Sequence, residues 1–115
     1  MYSKKIWTSE AIGAGEDATT EQIDANAYAK QGYVSIQYEI TGSGVGKLEA
    51  LLSNDGAGYI TKRTIVSGLI ETSGPGGDGK DIVRVYLEPC EKFKIKVTET
   101  GAADAIAISA TVSIR

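Results

Sequence analysis

The sequence predicts an all-β protein, an antiparallel sandwich of two packed sheets with about eight strands. Apolar and polar residues alternate with a period of two along most of the chain, most regularly over residues 106–114. Fourteen glycines and only two prolines separate the short alternating runs, as expected for strands joined by tight turns. About eight strands cannot form a single open sheet with one buried face. We therefore expect a sandwich of jelly-roll or Greek-key type.

The length and composition predict one domain. With 115 residues and 42% hydrophobic content, the chain can build one core but not two. Residues 1–115 are therefore expected to form a single sandwich. A short strand is predicted at residues 4–8, followed by a small, acidic, glycine-bearing loop at residues 10–21. Residues 1–21 together are predicted to form an N-terminal strand or arm that can reach the sheet of a neighbouring subunit.

The other strands follow from alternation and from the turns between them. Glycines at 42, 44 and 46 supply the positive φ that a tight reversal requires. The Asp55-Gly56 pair between two β runs indicates a hairpin. Further strands are predicted around Ile23 and at residues 33–41, 48–52, 59–66, 68–72, 82–87, 92–97 and 106–115.

Charge and cysteine content limit the partners and the compartment. The formal net charge of −3 offers no basic stripe for phosphates, so no nucleic-acid partner is expected. The single Cys90 excludes an intrachain disulfide. Neither a leader nor an apolar run of the ~18 residues that a membrane span needs is apparent. We expect synthesis in a reducing cytoplasm and no membrane partner.

The glycine-rich loop before residue 80 resembles a nucleotide site only superficially. Residues 74–79 match G-x-G-x-x-G, and with Lys80 they match most of a phosphate-binding loop. However, Asp81 stands where the final Ser or Thr belongs, and its carboxylate would repel phosphates. The pattern that follows has the period of a strand, whereas both motifs need a helix N-terminus. The segment is predicted to be a flexible interstrand loop.

The chain shows no recognisable catalytic or metal motif. It contains no histidine, which removes Ser/His and Cys/His nucleophiles and most zinc sites. The acidic neighbour Glu91 disfavours a thiolate at Cys90. The oxygen ligands that a calcium ion could use lack calcium-loop spacing and read as turn residues: Asn54, Asp55, Asp78 and Asp81. We therefore predict a protein that is not an enzyme, with no cofactor and no metal.

Two groups of side chains are candidates for contacts with a partner. Aromatic residues with a polar group serve either as sugar platforms or in packing: Trp7, Tyr28, Tyr33, Tyr38, Tyr59 and Tyr86. Lysines alternate with apolar residues over 92–97 and form a solvated face or one that meets an acidic neighbour. The candidate interface residues are Trp7, Asn54, Asp55, Lys92, Lys94 and Lys96.

The order of several motifs resembles a known group of proteins. These motifs are Ala11-Ile12, Gln22-Ile23-Asp24, residues 32–37, the glycine-rich residues 41–48, Ser53-Asn54-Asp55-Gly56, and a closing segment over residues 93–101 and 107–115. Together they resemble small β-sandwich proteins from the structural gene clusters of tailed bacteriophages. The likeness covers most of residues 11–115. The chain departs from the pattern in the long loop at residues 74–80 and in lacking an aromatic soon after Gly56.

The resemblance implies a component of a phage virion. The expected role is a capsid decoration (cement) protein or a head–tail accessory protein, acting through symmetric self-association. The expected partners are further copies of the chain, as a trimer on a capsid, and the major capsid or other virion proteins. The alternative that remains is a carbohydrate- or cell-surface-binding β-sandwich module.

Overall fold

The computed structural model describes residues 2–25 and 34–114, which form nine β-strands. The strands are β1 (Tyr2–Ile12), β2 (Asp17–Thr19), β3 (Ile23–Asp24), β4 (Val34–Gly42), β5 (Gly46–Ser53), β6 (Ile60–Leu69), β7 (Lys80–Val85), β8 (Lys92–Glu99) and β9 (Ile106–Ile114). One sheet has the order β1-β9-β4-β7 and the other β2-β8-β5-β6, with β3 also paired to β8. Every pairing is antiparallel. The predicted two-sheet antiparallel sandwich is confirmed.

The chain passes repeatedly from one sheet to the other, which sorts its loops between two ends of the sandwich. Because β1 ends opposite the start of β9, and β4 ends there as well, the β1–β2, β4–β5, β6–β7 and β8–β9 loops share one end. The β5–β6 and β7–β8 loops lie at the opposite end.

Each sheet buries one face, as the alternation predicts. In β4, β8 and β9 every second side chain is buried, and the inner faces of the two sheets form one continuous core. One row across the first sheet pairs Trp7 with Ala110 and Ala110 with Tyr38, and all three are buried. The small alanine leaves room for the large rings on either side of it.

The position of Trp7 corrects one sequence-based expectation. Its side chain is only 5% exposed and lies in the core of its own subunit. The strand that carries it pairs with β9 of the same chain. The indole is therefore not available to a neighbouring copy, and Trp7 is withdrawn as an interface residue.

The N-terminal strand is longer than predicted because bulges interrupt its alternation. β1 spans Tyr2–Ile12 rather than residues 4–8. Its register against β9 shifts between Lys5 and Trp7 and again before Glu10, with one extra residue each time. Ser9, within the second bulge, has a positive φ of 47°, and its N–H donates to Ser109 Oγ at 2.9 Å.

The strand β6 is likewise irregular and joins two segments that the sequence analysis separates. It runs from Ile60 to Leu69, where separate strands were predicted at 59–66 and 68–72. Three register shifts against β5 accommodate the extra residues. Its first five residues are exposed on both faces, so this edge strand extends beyond the core.

We expect Ala110→Leu to destabilise the protein by about 1–3 kcal/mol, because the added methyl groups overpack the space between Trp7 and Tyr38. Chemical denaturation monitored by Trp7 fluorescence measures this change. Ala107→Leu, on the solvent side of the same strand, is the matched control and should change stability by no more than about 0.5 kcal/mol. Equal effects for the two variants would contradict the assigned faces of β9.

Candidate functional site

The outer face of the β1-β9-β4-β7 sheet carries mainly polar side chains. In the central row, Lys5 pairs with Thr111, Thr111 with Gln37, and Gln37 with Ile82. The next row contains Ser109, Glu39 and Lys80. The two middle strands thus supply hydroxyl and amide groups, and the two outer strands supply longer side chains.

This face contains a groove of about 760 Å³, which we call the outer groove. The floor is formed mainly by Gln37, Ser109 and Thr111, and Lys5 borders it on the β1 side. The β6–β7 loop closes it on the other side with Pro75, Gly76 and Asp78. The groove is open to solvent along its length, so it suits an extended ligand.

The β6–β7 loop is held by hydrogen bonds, in contrast to the flexible loop predicted from the sequence. The Gly79 N–H donates to Ser73 O at 2.7 Å, and the Ile40 N–H donates to Gly79 O at 2.9 Å. Gly79 has a φ of +77°, and a Cβ there would lie 2.4 Å from Ile40 O. Only glycine allows this close approach to β4. The glycines that imitate a phosphate-binding loop thus serve backbone geometry, and a strand follows Lys80 as predicted.

At the end of the sandwich where four loops meet, a buried carboxylate connects three of them. Glu99 is 1% exposed, and its Oε1 accepts the N–H groups of Gly15 and Ala102 at 2.9 and 2.7 Å. Its Oε2 accepts the N–H groups of Val45 and Gly101 at 2.9 and 2.8 Å. These donors belong to the β1–β2, β4–β5 and β8–β9 loops.

The four donors stabilise the ionised form of Glu99. The backbone N–H groups of Val45 and Gly15 contribute most and lower the pKa of Glu99 to about 2, although burial acts in the opposite direction. Sequence reasoning missed this residue. The sequence did contain a signal for it. Glu99 follows Phe93, Ile95 and Val97 with the same period of two, so its side chain also lies on the buried face, where a carboxylate requires hydrogen-bond partners.

The three lysines proposed as an interface each have a partner within their own subunit. Lys92 Nζ lies 3.2 Å from Asp24 Oδ2. Lys96 Nζ lies 4.0 Å from Asp17 Oδ2. Lys94 Nζ lies 4.3 Å from the centre of the Tyr59 ring. All three share the outer face of the second sheet, where Lys92 and Lys96 are paired with carboxylates and Lys94 lies over an aromatic ring.

The other two candidate interface residues lie in the β5–β6 hairpin loop. Asp55 Oδ1 accepts the N–H groups of Ala57 and Gly58, both at 2.9 Å, and the Ser53 hydroxyl at 2.8 Å. These bonds lower the pKa of Asp55 to about 2. Its carboxylate therefore shapes the turn, whereas the neighbouring Asn54 is exposed.

Asn54 and Asp55 also border a second groove, of about 510 Å³, which we call the hairpin groove. Leu52, Ile60, Pro89 and Cys90 give it an apolar lining, and Lys62 lies at its edge. Cys90 is half-buried, and burial together with the nearby Glu88 and Glu91 raises the pKa of its thiol. This environment disfavours a reactive thiolate.

The predicted aromatic platforms have different positions in the fold. Tyr38 is buried in the core, where burial and then the Asp81 charge raise the pKa of its phenol. The Tyr59 hydroxyl donates to Gln22 Oε1 at 2.7 Å. Tyr86 is 59% exposed at the end of β7. Tyr28 and Tyr33 lie outside the described residues.

The described residues provide neither a metal-binding cluster nor a membrane-spanning helix. Within residues 2–25 and 34–114, no three His, Cys, Asp or Glu side chains come together in a group that could hold a metal ion. No helix within these ranges has the length and apolarity required to cross a membrane.

Comparison with known proteins identifies similar folds. No protein-family model and no curated protein sequence matches the chain. The PBSX exported protein XepA aligns with a TM-score of 0.62 at 13% identity, over 99% of this chain and 37% of its own. VP2 of the infectious bursal disease virus subviral particle aligns with a TM-score of 0.59 at 14% identity, over 99% of this chain and 32% of its own. PirA aligns with a TM-score of 0.55 at 14% identity, over 100% of this chain and 94% of its own.

These likenesses establish the fold. The chain spans about a third of the length of XepA and VP2, so each of those proteins contains a sandwich of this kind within a longer chain. The sandwich architecture implied by the sequence resemblance to phage structural proteins is confirmed.

We expect the buried carboxylate to make the stability of the protein depend on pH in acid. Because the folded pKa of Glu99, about 2, lies below the usual 4.5, its contribution is complete above pH 4.5 and is lost as the pH falls toward 2. Glu99→Gln should lower the melting temperature at pH 7, and the difference from the parent protein should shrink toward pH 2. The exposed Glu71→Gln is the matched control. A Glu99→Gln melting curve that matches the parent at pH 7 would contradict this role.

Proposed function

We propose that the chain is a non-enzymatic structural component of a bacteriophage virion, a capsid decoration (cement) protein or a head–tail accessory protein. The observation that carries this proposal is the strand order. Two four-stranded paths, β1-β9-β4-β7 and β2-β8-β5-β6, are the order expected for a jelly roll of interlocked Greek keys. The same architecture is found in a viral capsid protein, VP2. A single sandwich over residues 1–115, with no metal or cofactor, suits a role in which copies act through their surfaces.

The β6 strand is the proposed contact between copies of the chain. Ile60 is 69% exposed at its start, and Ile70 is 42% exposed immediately after its end. Ile60 borders the hairpin groove, which Lys62 and the carboxylates of Asp55 and Glu88 also line, and Ile70 is followed by Glu71. Each end of this edge strand therefore presents an exposed isoleucine beside charged side chains.

This arrangement favours a head-to-tail contact. A strand of β6's length separates its ends by roughly 33 Å, so the two isoleucines belong to two different contact surfaces of one copy. In the proposed arrangement, the Ile70 end of one copy meets the hairpin groove of the next. Such heterologous contacts close into a ring when the rotation permits, and a trimer is the ring proposed here. The major capsid protein or another virion protein is the proposed partner of the ring, with no nucleic acid and no membrane as partners.

A second candidate function is a carbohydrate- or cell-surface-binding module. The outer groove favours it, because an open polar groove on a sheet face is unnecessary for a purely structural role. PirA, which has the same fold over nearly its whole length, is an independent small protein rather than part of a longer capsid chain.

The virion role predicts that the chain remains with phage particles. Particles purified on a density gradient from the bacterial strain that carries the gene should contain the chain in a fixed ratio to the major capsid protein, as measured by quantitative mass spectrometry. Tail-less heads and separated tails, analysed in parallel, distinguish the decoration role from the accessory role. Recovery of the chain only in the soluble fraction would contradict both.

The head-to-tail contact predicts a complementation result. Ile60→Lys and Ile70→Lys should each sediment as a monomer that still unfolds cooperatively, because each variant loses one half of the contact but keeps the core. A mixture of the two variants should form a dimer, since one intact Ile70 end and one intact hairpin groove remain, but no closed ring. Analytical ultracentrifugation measures this, with Thr19→Lys on the far edge as the control. If Ile70→Lys alone stays oligomeric, the contact is not head-to-tail.

A further inference from the structure

The floor of the outer groove contains polar groups that the fold itself does not use. Lys5, Thr111 and Gln37 lie side by side in one row across three strands. The side chains of these three residues form no hydrogen bond or ion pair with another described residue. Ser109 Oγ accepts the Ser9 N–H, and its own proton remains free to donate. The floor therefore offers both donors and acceptors to a ligand.

Hydrogen bonds hold the wall of the groove that the β6–β7 loop forms. The hydrogen bonds of Gly79 to Ser73 and Ile40 fix the β6–β7 loop, so no ordering of that wall is required on binding. The volume of about 760 Å³ lies within the range of small-molecule sites, roughly 300–1,000 Å³. A preformed groove of this size accommodates a short oligomeric ligand.

One edge of the groove also presents apolar surface. Ile82 lines the groove and is 62% exposed beside the floor. Tyr86 is 59% exposed four residues further along, roughly 13 Å from Ile82 and outside the groove. An apolar edge beside a hydroxyl-rich floor matches a pyranose ring, which has one C–H face and a rim of hydroxyl groups.

The charges around the groove nearly cancel, since Lys5 and Lys80 stand against Glu39, Asp78 and Asp81. Lys80 Nζ lies 3.3 Å from Glu39 Oε2. The Asp78 and Asp81 carboxylates accept the backbone N–H groups of Lys80 and Ile82 at 3.3 and 2.8 Å. Because neither sign dominates the groove, its chemistry disfavours a strongly anionic or cationic ligand.

We propose that the outer groove binds a short neutral oligosaccharide, with its hydroxyl groups on Gln37, Ser109 and Thr111 and one pyranose face against Ile82. This assigns a site and a ligand class to the second candidate function, on which it rests. It does not require the virion role, because a virion protein and a free module can carry the same groove.

The test is a titration of the ¹⁵N-labelled chain followed by heteronuclear NMR. The probes are maltotriose, cellotriose and N,N′-diacetylchitobiose, each to about 10 mM, where sites with a Kd near 1 mM are well occupied. The variants are Thr111→Val and Gln37→Leu, which keep side-chain size and remove the hydrogen-bonding groups. Thr98→Val, at a half-buried position on the outer face of the second sheet, is the matched control. Sulfated maltotriose serves as the charged comparison.

The proposal expects shifts confined to the amides of β4, β7, β9, the β6–β7 loop and β1 around Lys5 with at least one neutral probe. Thr111→Val and Gln37→Leu should each weaken binding by roughly tenfold, the effect of losing one or two hydrogen bonds, while Thr98→Val leaves it unchanged. Four results would overturn the proposal: no shift with any neutral probe, shifts elsewhere, equal affinities for all variants, or tighter binding of the sulfated sugar.

The same variants separate this inference from the virion role. Thr111→Val should still be incorporated into phage particles, because the proposed contact between copies uses β6. Sugar binding without incorporation overturns only the virion role, and incorporation without sugar binding overturns only the groove assignment.

Discussion

The pairing of β9 between β1 and β4 supports the rest of the structure. Its inner side chains, which include Ile108 and Val112, belong to the core, and its outer hydroxyls at Ser109 and Thr111 form the floor of the outer groove. Without β9, the strands β1 and β4 would each lose a hydrogen-bonded neighbour, and Trp7 would lose its cross-strand partner Ala110. Because β9 pairs with residues more than 60 positions away, the sheet forms only when distant parts of the chain meet, a topology that folds slowly. Core and candidate site therefore depend on the same nine residues.

The edges of both sheets are protected against the addition of another strand. β1 carries two bulges, β6 carries three register shifts, and β2 and β3 are only 3 and 2 residues long. At the β7 edge, carboxylates of the chain itself accept the N–H groups of Lys80 and Ile82. Bulges, short strands and edge charges are the usual means of preventing edge-to-edge pairing. The proposed contact between copies therefore uses side chains such as Ile60 and Ile70, in contrast to the strand exchange that the N-terminal sequence suggests.

Sequence alternation predicted the strands in which one face is buried and the other faces solvent. The strands β4, β8 and β9 were located to within about two residues, because their inward positions are apolar, with Glu99 at the end of β8 as the exception. The extents of β1 and β6 were not predicted, since an inserted residue shifts the alternation to the other face. The pairing of β2 with β8 depends on a contact with distant residues that has no local signal.

The candidate site was harder to predict than the fold, for a related reason. Strand period places Gln37 and Thr111 on an outer face, but only the register between strands puts them in one row. The glycines of residues 74–79 were recognised as a loop, yet their rigidity comes from hydrogen bonds to Ser73 and Ile40. Trp7 and the lysines at 92, 94 and 96 were read as available surface, because their partners in the folded chain are distant in sequence.

The register between β1 and β9 also determines how this fold connects to other polypeptides. Tyr2 lies opposite Ile114, so the first and last described strands place their outer ends about 5 Å apart. A host protein could therefore carry the sandwich as an insertion between two nearby positions without stretching either linker, and a short peptide bridge could join the two ends into a circle. New ends could then be opened in the exposed β5–β6 hairpin loop, which makes the sandwich a candidate for circular permutation and for display of a guest sequence at a chosen end.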